Sequence, residues 1–214
     1  MKIKACIFDL DGVLVDTARY HFLAWKNLAD KLGFTFTESD NERLKGVSRM
    51  ASLEILFEIG KMVPTDIEKL EYAAWKNELY LEYIEKMTPD DILPGVKEFL
   101  MELKNSGIGI GLGSVSKNAR TILSKIAITE YFDAIVDGNI ISRAKPDPEV
   151  FLTGARMLKM EPAQCVVFED AVAGIQAAHR AGMNCVGVGS PEIISESDMI
   201  IPGFENFTMK DLFF

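Results

Sequence analysis

Short apolar runs rich in β-branched residues recur along this chain, and segments of helical periodicity separate the later ones. The runs are residues 3–8, 108–112, 134–136, 165–168 and 185–188. The helical segments are residues 96–105, 118–126, 148–159 and 171–181. Strands that alternate with helices favour a parallel sheet with helices on both faces. The sequence therefore predicts an α/β fold.

The stretch between residues 16 and 92 breaks this alternation. It contains helical patterns at 17–32, 50–59 and 65–87 and no convincing strand. Turn signals flank it, with Gly12 on one side and the Pro89 and Pro94-Gly95 region on the other. We therefore expect an all-helical insert of residues 16–92, a cap lodged after the first strand, and a core of residues 1–15 and 93–214. An insert that enters and leaves by neighbouring strands can hinge over a site at the strand ends.

Composition narrows the classes of partner. The 214 residues are 48% hydrophobic and 26% charged, which is ordinary for a globular protein. A net charge of −9 without any basic run argues against nucleic acid, and no apolar stretch is long enough to span a membrane. Acidic residues within the first 11 positions argue against a secretion signal. No long exposed apolar stripe demands a partner, so a monomer is expected.

The three cysteines, Cys6, Cys165 and Cys185, each lie in an apolar run. Their odd number and their surroundings indicate buried free thiols rather than a disulfide framework. Free thiols are typical of a reducing compartment, so the expected location is the cytoplasm.

The first apolar run ends in two aspartates, Asp9 and Asp11, and Gly12 follows them. Alternate residues of an extended chain point to the same side, so both carboxylates can face one point beyond the strand. Two neighbouring buried anions need compensation by a cation or a covalent role, which favours a metal-assisted site. The alternative is that Asp11 begins a turn and Asp9 is a surface polar residue.

Polar groups also follow other predicted strands, and ligands of parallel sheets bind beyond the carboxyl ends of strands. These groups are residues 114–118, Lys145 and the pair Glu169-Asp170. Taken singly, Ser114 and Ser116 are more typical of simple N-caps, but a serine-rich turn into a helix can also cradle phosphate. Lys145 taken alone is compatible with a solvated lysine, and Glu169-Asp170 with a cap on the next helix.

Charge balance links these strand ends. Convergence of Asp9, Asp11, Glu169 and Asp170 would place about four negative charges within a few ångströms. Oxygen ligands select a hard divalent cation, and Mg²⁺ is the predicted ion. One Mg²⁺ with Lys145 leaves roughly one carboxylate in excess, so we expect Asp11 to be protonatable near neutral pH and suited to acid/base chemistry.

Four motifs stand in order along the chain: Asp9-Leu10-Asp11-Gly12, Ser114, Lys145 and Glu169-Asp170. With this set the chain resembles the haloacid dehalogenase-type phosphotransferases over essentially its whole length. The resemblance implies a Rossmann-like core, Mg²⁺, and Asp9 as a nucleophile that forms an aspartyl-phosphate. It also implies that Asp11 is the general acid/base and lends the metal only its backbone carbonyl, beside Asp9, Glu169 and Asp170 as metal residues.

Within this superfamily, the predicted insert is similar to that of the β-phosphoglucomutases rather than the generic phosphatases. The matching residues are 16–25 with Thr17, His21 and Trp25, then 44–49 with Gly46, Val47 and Arg49, then Ser52, Lys76 and Asn77, and on the core side Ser116, Lys117 and Asn118. Taken singly, His21, Trp25 and Arg49 are more typical of packing or solvated positions. The family more often has alanine where Gly111, Gly113 and Val115 stand here. This difference does not change the expected phosphate contact of Val115, which would be made through its backbone.

This similarity assigns expected roles in substrate binding. Arg49 with residues 116–118 would hold the non-transferring phosphate, whereas Ser114, the Val115 backbone and Lys145 would hold the transferring one. His21 and Lys76 would sense the substrate and help align Asp11 as the insert closes.

The expected reaction is interconversion of β-D-glucose 1-phosphate and β-D-glucose 6-phosphate through β-glucose 1,6-bisphosphate, which is both intermediate and activator. Two separate cationic groups, Lys145 on one side and Arg49 with Lys117 on the other, suit a bisphosphate held in two orientations. A sugar-phosphate phosphatase, in which water attacks phospho-Asp9, and a non-catalytic phosphosugar-binding protein are the alternatives. The partners are small-molecule sugar phosphates in each case, and the sequence does not identify the sugar.

Overall fold

The computed structural model describes residues 3–212 and contains one sheet of six parallel strands. The strands are β1 (Ala5–Phe8), β2 (Gly109–Gly113), β3 (Ala134–Val136), β4 (Cys165–Glu169), β5 (Asn184–Val188) and β6 (Met199–Ile201), in the spatial order β3-β2-β1-β4-β5-β6. The predicted α/β class and Rossmann-like core are confirmed. The sequence pattern misses β6, a strand of three residues at the edge of the sheet.

Eight α-helices accompany the sheet in the described residues. They are α1 (Ala18–Leu32), α2 (Glu38–Glu42), α3 (Arg49–Gly60), α4 (Asp66–Ile84), α5 (Val96–Asn105), α6 (Ala119–Lys125), α7 (Glu149–Leu158) and α8 (Val172–Arg180). Helix α2 escapes the sequence pattern because it has five polar residues and no apolar face, and Thr37 and Asp40 start it with a capping box. No helix within residues 3–212 has the length and apolar character needed to cross a membrane.

Helices α1 to α4 lie between β1 and β2 in the chain, and residues 18–84 contain no strand. They share a hydrophobic cluster of their own, which is formed by Trp25, Leu28, Ala29, Phe36, Leu44, Leu53, Leu56, Phe57 and Ala73. The two connections to the sheet are adjacent, because Val15 bridges Ile92 and the Leu93 amide donates to the Leu14 carbonyl at 3.0 Å. The division into a cap of 16–92 and a core stays a prediction, and positions 1–2 and 213–214 lie outside the described residues.

Aromatic side chains fill one face of the sheet. Phe8 of β1 stacks on Phe168 of β4 with ring centroids 4.7 Å apart, and Phe99 of α5 meets the edge of Phe168 at 5.5 Å. The ring centroid of Phe204 lies 5.5 Å from that of Phe99. Every residue of β1 is fully buried, which is expected for a strand that has neighbours on both sides and helices on both faces.

Phe99→Ala is expected to lower the free energy of unfolding by about 3–5 kcal/mol, because it opens a cavity among these rings. Phe99 is 1% exposed, lies on α5 and does not line the cavity described below. Urea denaturation measures the effect. The control Val63→Ala changes a side chain that is 98% exposed and should stay within about 0.5 kcal/mol of wild type. Equal stabilities for the two variants would contradict the role of this cluster.

The strand order defines where a ligand can enter. The chain runs from β1 to β2 and β3 on one side of the sheet, whereas β4, β5 and β6 extend on the other side. The connections that leave β1 and β4 therefore diverge, and the carboxyl ends of these two strands border a crevice. The predicted acidic residues follow these two strands.

Candidate active site

Three carboxylates meet at this crevice. Asp9 follows β1, Glu169 ends β4, and Asp170 comes next in the chain. One oxygen from each lies within 4.8 Å of the others, which is close enough for a shared metal ion. Asp9 and Glu169 are buried and Asp170 is half-buried. The structure thus brings together the side chains predicted to hold the metal, with Asp11 beside them.

Lys145 is buried between two of these carboxylates, with 2% of its surface exposed. Its Nζ atom lies 2.5 Å from Asp9 Oδ1 and 2.5 Å from Glu169 Oε1. Burial alone lowers the pKa of Lys145, but the charges of Asp9 and Glu169 outweigh it and raise that pKa above its ordinary value. Lys145 is therefore a permanently charged part of the site, and the solvated interpretation is wrong.

Glu169 also orders the backbone that follows β4. Its Oε2 atom accepts hydrogen bonds from the amides of Asp170 at 3.0 Å and Ala171 at 3.2 Å. Burial raises the pKa of Glu169 to about 7, and burial followed by repulsion from Glu169 raises the pKa of Asp170 well above its usual range. Even with Lys145 present, these two carboxyls therefore accept protons more readily than exposed ones.

Gly12 has the backbone that this arrangement requires. Its φ of +83° lies in the left-handed region, and a Cβ atom there would lie 2.2 Å from Asp170 Oδ2. Any side chain at this position would therefore be strained and would push Asp170 aside. The chain turns at Gly12 so that the Asp9–Asp11 segment and Asp170 can approach each other.

Asp11 is half-buried and faces the helical insert. The hydroxyl of Thr17 donates a hydrogen bond to its Oδ1 atom, and His21 Nε2 lies 3.8 Å from the same oxygen. Burial and the nearby Asp9 charge raise the pKa of Asp11 to about 6, which agrees with the expectation of a group protonatable near neutral pH. Thr17 is the N-cap residue of α1, yet its side chain caps no amide because it is bonded to Asp11.

A buried lysine from α4 completes this side of the site. Lys76 is 2% exposed, and its Nζ lies 2.9 Å from His21 Nδ1 and 4.5 Å from the Trp25 ring centroid. Burial, followed by repulsion from Arg49, lowers its pKa to about 7. Burial, followed by repulsion from Lys76 and then Arg49, lowers the pKa of His21 well below its usual value. Burial and mutual repulsion therefore disfavour the charged forms of Lys76 and His21 on this side of the cavity.

The segment after β2 forms a hydrogen-bonded turn. Ser114 Oγ accepts from the Ser116 amide at 3.1 Å, and Ser116 Oγ accepts from the Asn118 amide at 3.2 Å. Neither serine is the N-cap of α6, because that position is Asn118, so the simple N-cap interpretation is wrong. Asn118 Nδ2 donates to Asn77 Oδ1 of α4 at 3.0 Å, and this hydrogen bond joins the turn to the insert.

These groups surround one cavity of about 580 Å³ between the sheet and the helices. The predicted residues that line it are Asp9, Asp11, His21, Trp25, Gly46, Val47, Arg49, Ser52, Lys76, Val115, Ser116, Lys117, Asn118 and Asp170. Four predicted residues do not line the cavity but form hydrogen bonds to residues that do: Thr17 to Asp11, Ser114 to Ser116, Lys145 to Asp9 and Glu169 to Asp170. Sequence reasoning misses Tyr80, which also lines the cavity; its position one turn after Lys76 on α4 is the signal that could have found it.

Similarity to known proteins agrees with this geometry. A family model of the haloacid dehalogenase-like hydrolases matches residues 3–182. A β-phosphoglucomutase of Bacillus subtilis is 47% identical over 210 residues, which are 97% of this chain and 93% of the relative. A fructose-1-phosphate phosphatase of Escherichia coli is 32% identical over 189 residues, which are 87% of this chain and 97% of the relative.

A solved structure extends the similarity to the fold. The crystal structure of β-phosphoglucomutase from Clostridium difficile superposes with a TM-score of 0.93 at 41% identity, and the match covers 97% of this chain and 94% of that one. The polar strand ends, the sheet order and the matched length lead to one assignment. The chain belongs to the haloacid dehalogenase-like hydrolase family.

Proposed function

We propose that the protein is a β-phosphoglucomutase, which interconverts β-D-glucose 1-phosphate and β-D-glucose 6-phosphate. One observation carries the proposal: a single cavity is lined by the Asp9 and Asp170 carboxylates at the strand ends, by Arg49 of α3, and by Lys117 of the turn after β2. The 47% identity to a β-phosphoglucomutase over 97% of the chain supports the same reaction. A substrate with a phosphate at each end of a sugar ring fits such a cavity.

Asp9 is the proposed nucleophile. A carboxylate oxygen of Asp9 bonds to phosphorus while the bond from phosphorus to the sugar oxygen breaks, which leaves an aspartyl-phosphate. Lys145, 2.5 Å from Asp9 Oδ1, lies where it can neutralise charge on the phosphoryl oxygens. Ser114 and the Val115 backbone are the proposed donors to the same group.

Asp11 is the proposed general acid and base. It donates a proton to the sugar oxygen that leaves and takes one from the sugar hydroxyl that attacks. The hydrogen bond from Thr17 holds its carboxylate, and His21, which Lys76 contacts at 2.9 Å, lies beside it. These contacts come from the insert, so Asp11 is aligned only when the insert lies over the sheet.

The second phosphate and the sugar ring complete the proposed complex. Arg49 with Ser116, Lys117 and Asn118 would bind the non-transferring phosphate, and Trp25, Gly46, Val47 and Ser52 would shape the ring site. β-Glucose 1,6-bisphosphate is the proposed intermediate and activator. Residues 16–92 act in this proposal as a cap, which excludes the water that would hydrolyse phospho-Asp9.

The donor set suits Mg²⁺. Asp9, Glu169, Asp170 and the backbone carbonyl of Asp11 offer only oxygen, and Gly12 leaves the space in which Asp170 reaches them. When bound, Mg²⁺ would neutralise charge on the phosphoryl group. Lys145 remains the cation that this chain itself supplies.

The metal-free protein is expected to lose stability as pH rises from 4.5 to about 7, because the folded state holds protons on carboxyls such as Glu169 that the unfolded chain has released. Each such proton contributes a slope of about 1.4 kcal/mol per pH unit. Melting temperatures in EDTA and in Mg²⁺ measure this. Mg²⁺ should raise the melting temperature most above pH 7; an identical pH profile with and without it would contradict the metal site.

A product assay tests the function. β-Glucose 1-phosphate, a trace of β-glucose 1,6-bisphosphate and Mg²⁺ should give glucose 6-phosphate, detected by coupled reduction of a nicotinamide cofactor. Predominant release of inorganic phosphate would instead identify a sugar-phosphate phosphatase, which the Escherichia coli relative makes the second candidate. The variant Arg49→Ala should lose mutase turnover, because the guanidinium group that is proposed to bind the non-transferring phosphate is removed.

Cytoplasmic location and a monomeric state are also proposals. All three cysteines are free and buried, which supports a reducing compartment. Size-exclusion chromatography with light scattering measures the oligomeric state.

A further inference from the structure

Tyr80 has an unusual hydroxyl group. Within residues 3–212 it is the buried side-chain oxygen that lacks a hydrogen-bond partner. The side chain is 1% exposed and borders the active-site cavity. Leaving a buried hydroxyl unpaired costs free energy, and native proteins rarely tolerate it without a reason. The surroundings of this hydroxyl indicate what it can bond.

The Tyr80 ring supports two residues of the acid/base side of the cavity. Its centroid lies 4.1 Å from that of the His21 ring, and Lys76 Nζ lies 4.7 Å from the same centroid. His21 Nε2 in turn lies 3.8 Å from Asp11 Oδ1, the oxygen to which the Thr17 hydroxyl donates, so the phenol, Thr17 and Asp11 are neighbours. Tyr80 of α4 therefore packs against His21 and Lys76, which lie around Asp11. It is not one of the predicted phosphate ligands.

The number of hydroxyl hydrogens decides which residue donates in a hydrogen bond between Tyr80 and Thr17. A threonine hydroxyl has one hydrogen, and Thr17 donates it to Asp11 Oδ1. Thr17 Oγ can therefore only accept a hydrogen bond from Tyr80. Burial raises the pKa of Tyr80 well above its usual value, so the phenol keeps the hydrogen that it would donate.

We propose that Tyr80 is a positioning residue, whose hydroxyl donates to Thr17 Oγ in the reacting enzyme so that Tyr80, Thr17 and Asp11 form one hydrogen-bonded chain. This rests on the proposed acid/base role of Asp11. The chain joins α4, the start of α1 and the segment after β1, so it forms only when the insert and the sheet are correctly seated. This hydrogen-bonded chain fixes the orientation of the Asp11 carboxylate through the bond from Thr17 to its Oδ1 atom.

Tyr80→Phe tests the proposal, because it keeps the ring under His21 and Lys76 and removes only the hydroxyl. The melting temperature should not fall, since an unpaired buried group is removed. We expect kcat to fall about threefold to tenfold, the span of one neutral hydrogen bond, with KM unchanged. The matched control Tyr83→Phe, on the same helix with its ring 5.6 Å from that of Tyr20, should leave kcat unchanged.

A double-mutant cycle separates positioning from a general structural effect. If Tyr80 acts through Thr17, then Tyr80→Phe should lower kcat in the wild-type background and have no further effect in Thr17→Val. An unchanged kcat for Tyr80→Phe, a change in KM alone, or additive losses in the double variant would each overturn the proposal. If the wild-type enzyme releases phosphate instead of isomerising its substrate, the proposed function fails, and the same cycle is then run on phosphate release.

Discussion

Asp9→Asn is expected to reduce turnover by about 10⁴-fold or more, because an amide cannot attack phosphorus and no other side chain replaces a covalent nucleophile. The substitution conserves size, and the amide oxygen can still accept from Lys145, which lies 2.5 Å from Asp9 Oδ1. The fold should therefore persist. The rate of glucose 6-phosphate formation measures the loss, and intact-mass spectrometry should detect a phosphorylated wild-type chain but no phosphorylated variant.

A second aspartate provides the control for this experiment. Asp30 lies on α1, where it pairs with Lys26 and is half-exposed. Asp30→Asn removes the same charge from the chain and should leave turnover unchanged. Substantial turnover by Asp9→Asn, or a phosphorylated Asp9→Asn chain, would show that the phosphoryl group is carried elsewhere.

Asp11→Asn is expected to lower kcat for β-glucose 1-phosphate by about 10²- to 10⁴-fold, the usual contribution of a general acid/base. The effect depends on the leaving group. p-Nitrophenolate leaves without protonation, so Asp11→Asn should still form a phosphoenzyme from p-nitrophenyl phosphate, whereas Asp9→Asn should not. Equal loss on both substrates would mean that Asp11 does not act as the acid.

The pH dependence gives a second measurement of Asp11. In the phosphorylated enzyme Asp11 must accept a proton from the attacking hydroxyl, so it acts there in its ionised form. Its pKa is raised to about 6, by burial first and by Asp9 second. The wild-type kcat/KM for β-glucose 1-phosphate should therefore fall as the pH is lowered through about 6. Asp11→Asn should lack this limb of the profile.

Much of the architecture follows from local sequence patterns. Five of the six strands and the longer helices, such as α1 and α4, are visible as runs and periodicities, because a regular element imposes its repeat on its own residues. The elements that escape are α2, whose five residues are all polar, and β6, a three-residue strand at the sheet edge. The acidic and serine-rich strand ends are also visible, because parallel strands present their carboxyl ends at one edge of the sheet.

Contacts between residues that are distant in the chain could be identified only from the tertiary structure. Lys145 is 136 positions from Asp9, and no local pattern distinguishes a solvated lysine from one buried between two carboxylates. The same holds for Thr17, whose N-cap position predicts an amide partner although its hydroxyl bonds Asp11. Tyr80 has no sequence signal of its own beyond its spacing from Lys76.

The sequence by itself determined the fold class, the all-helical character of the stretch between β1 and β2, and the identity of the groups at the strand ends. The tertiary structure alone decided which of those groups are buried together, and therefore which carboxyls have raised pKa values and which cation neutralises them. The physical reason is that element type depends on neighbours in the chain, whereas desolvation and charge interactions depend on neighbours in space.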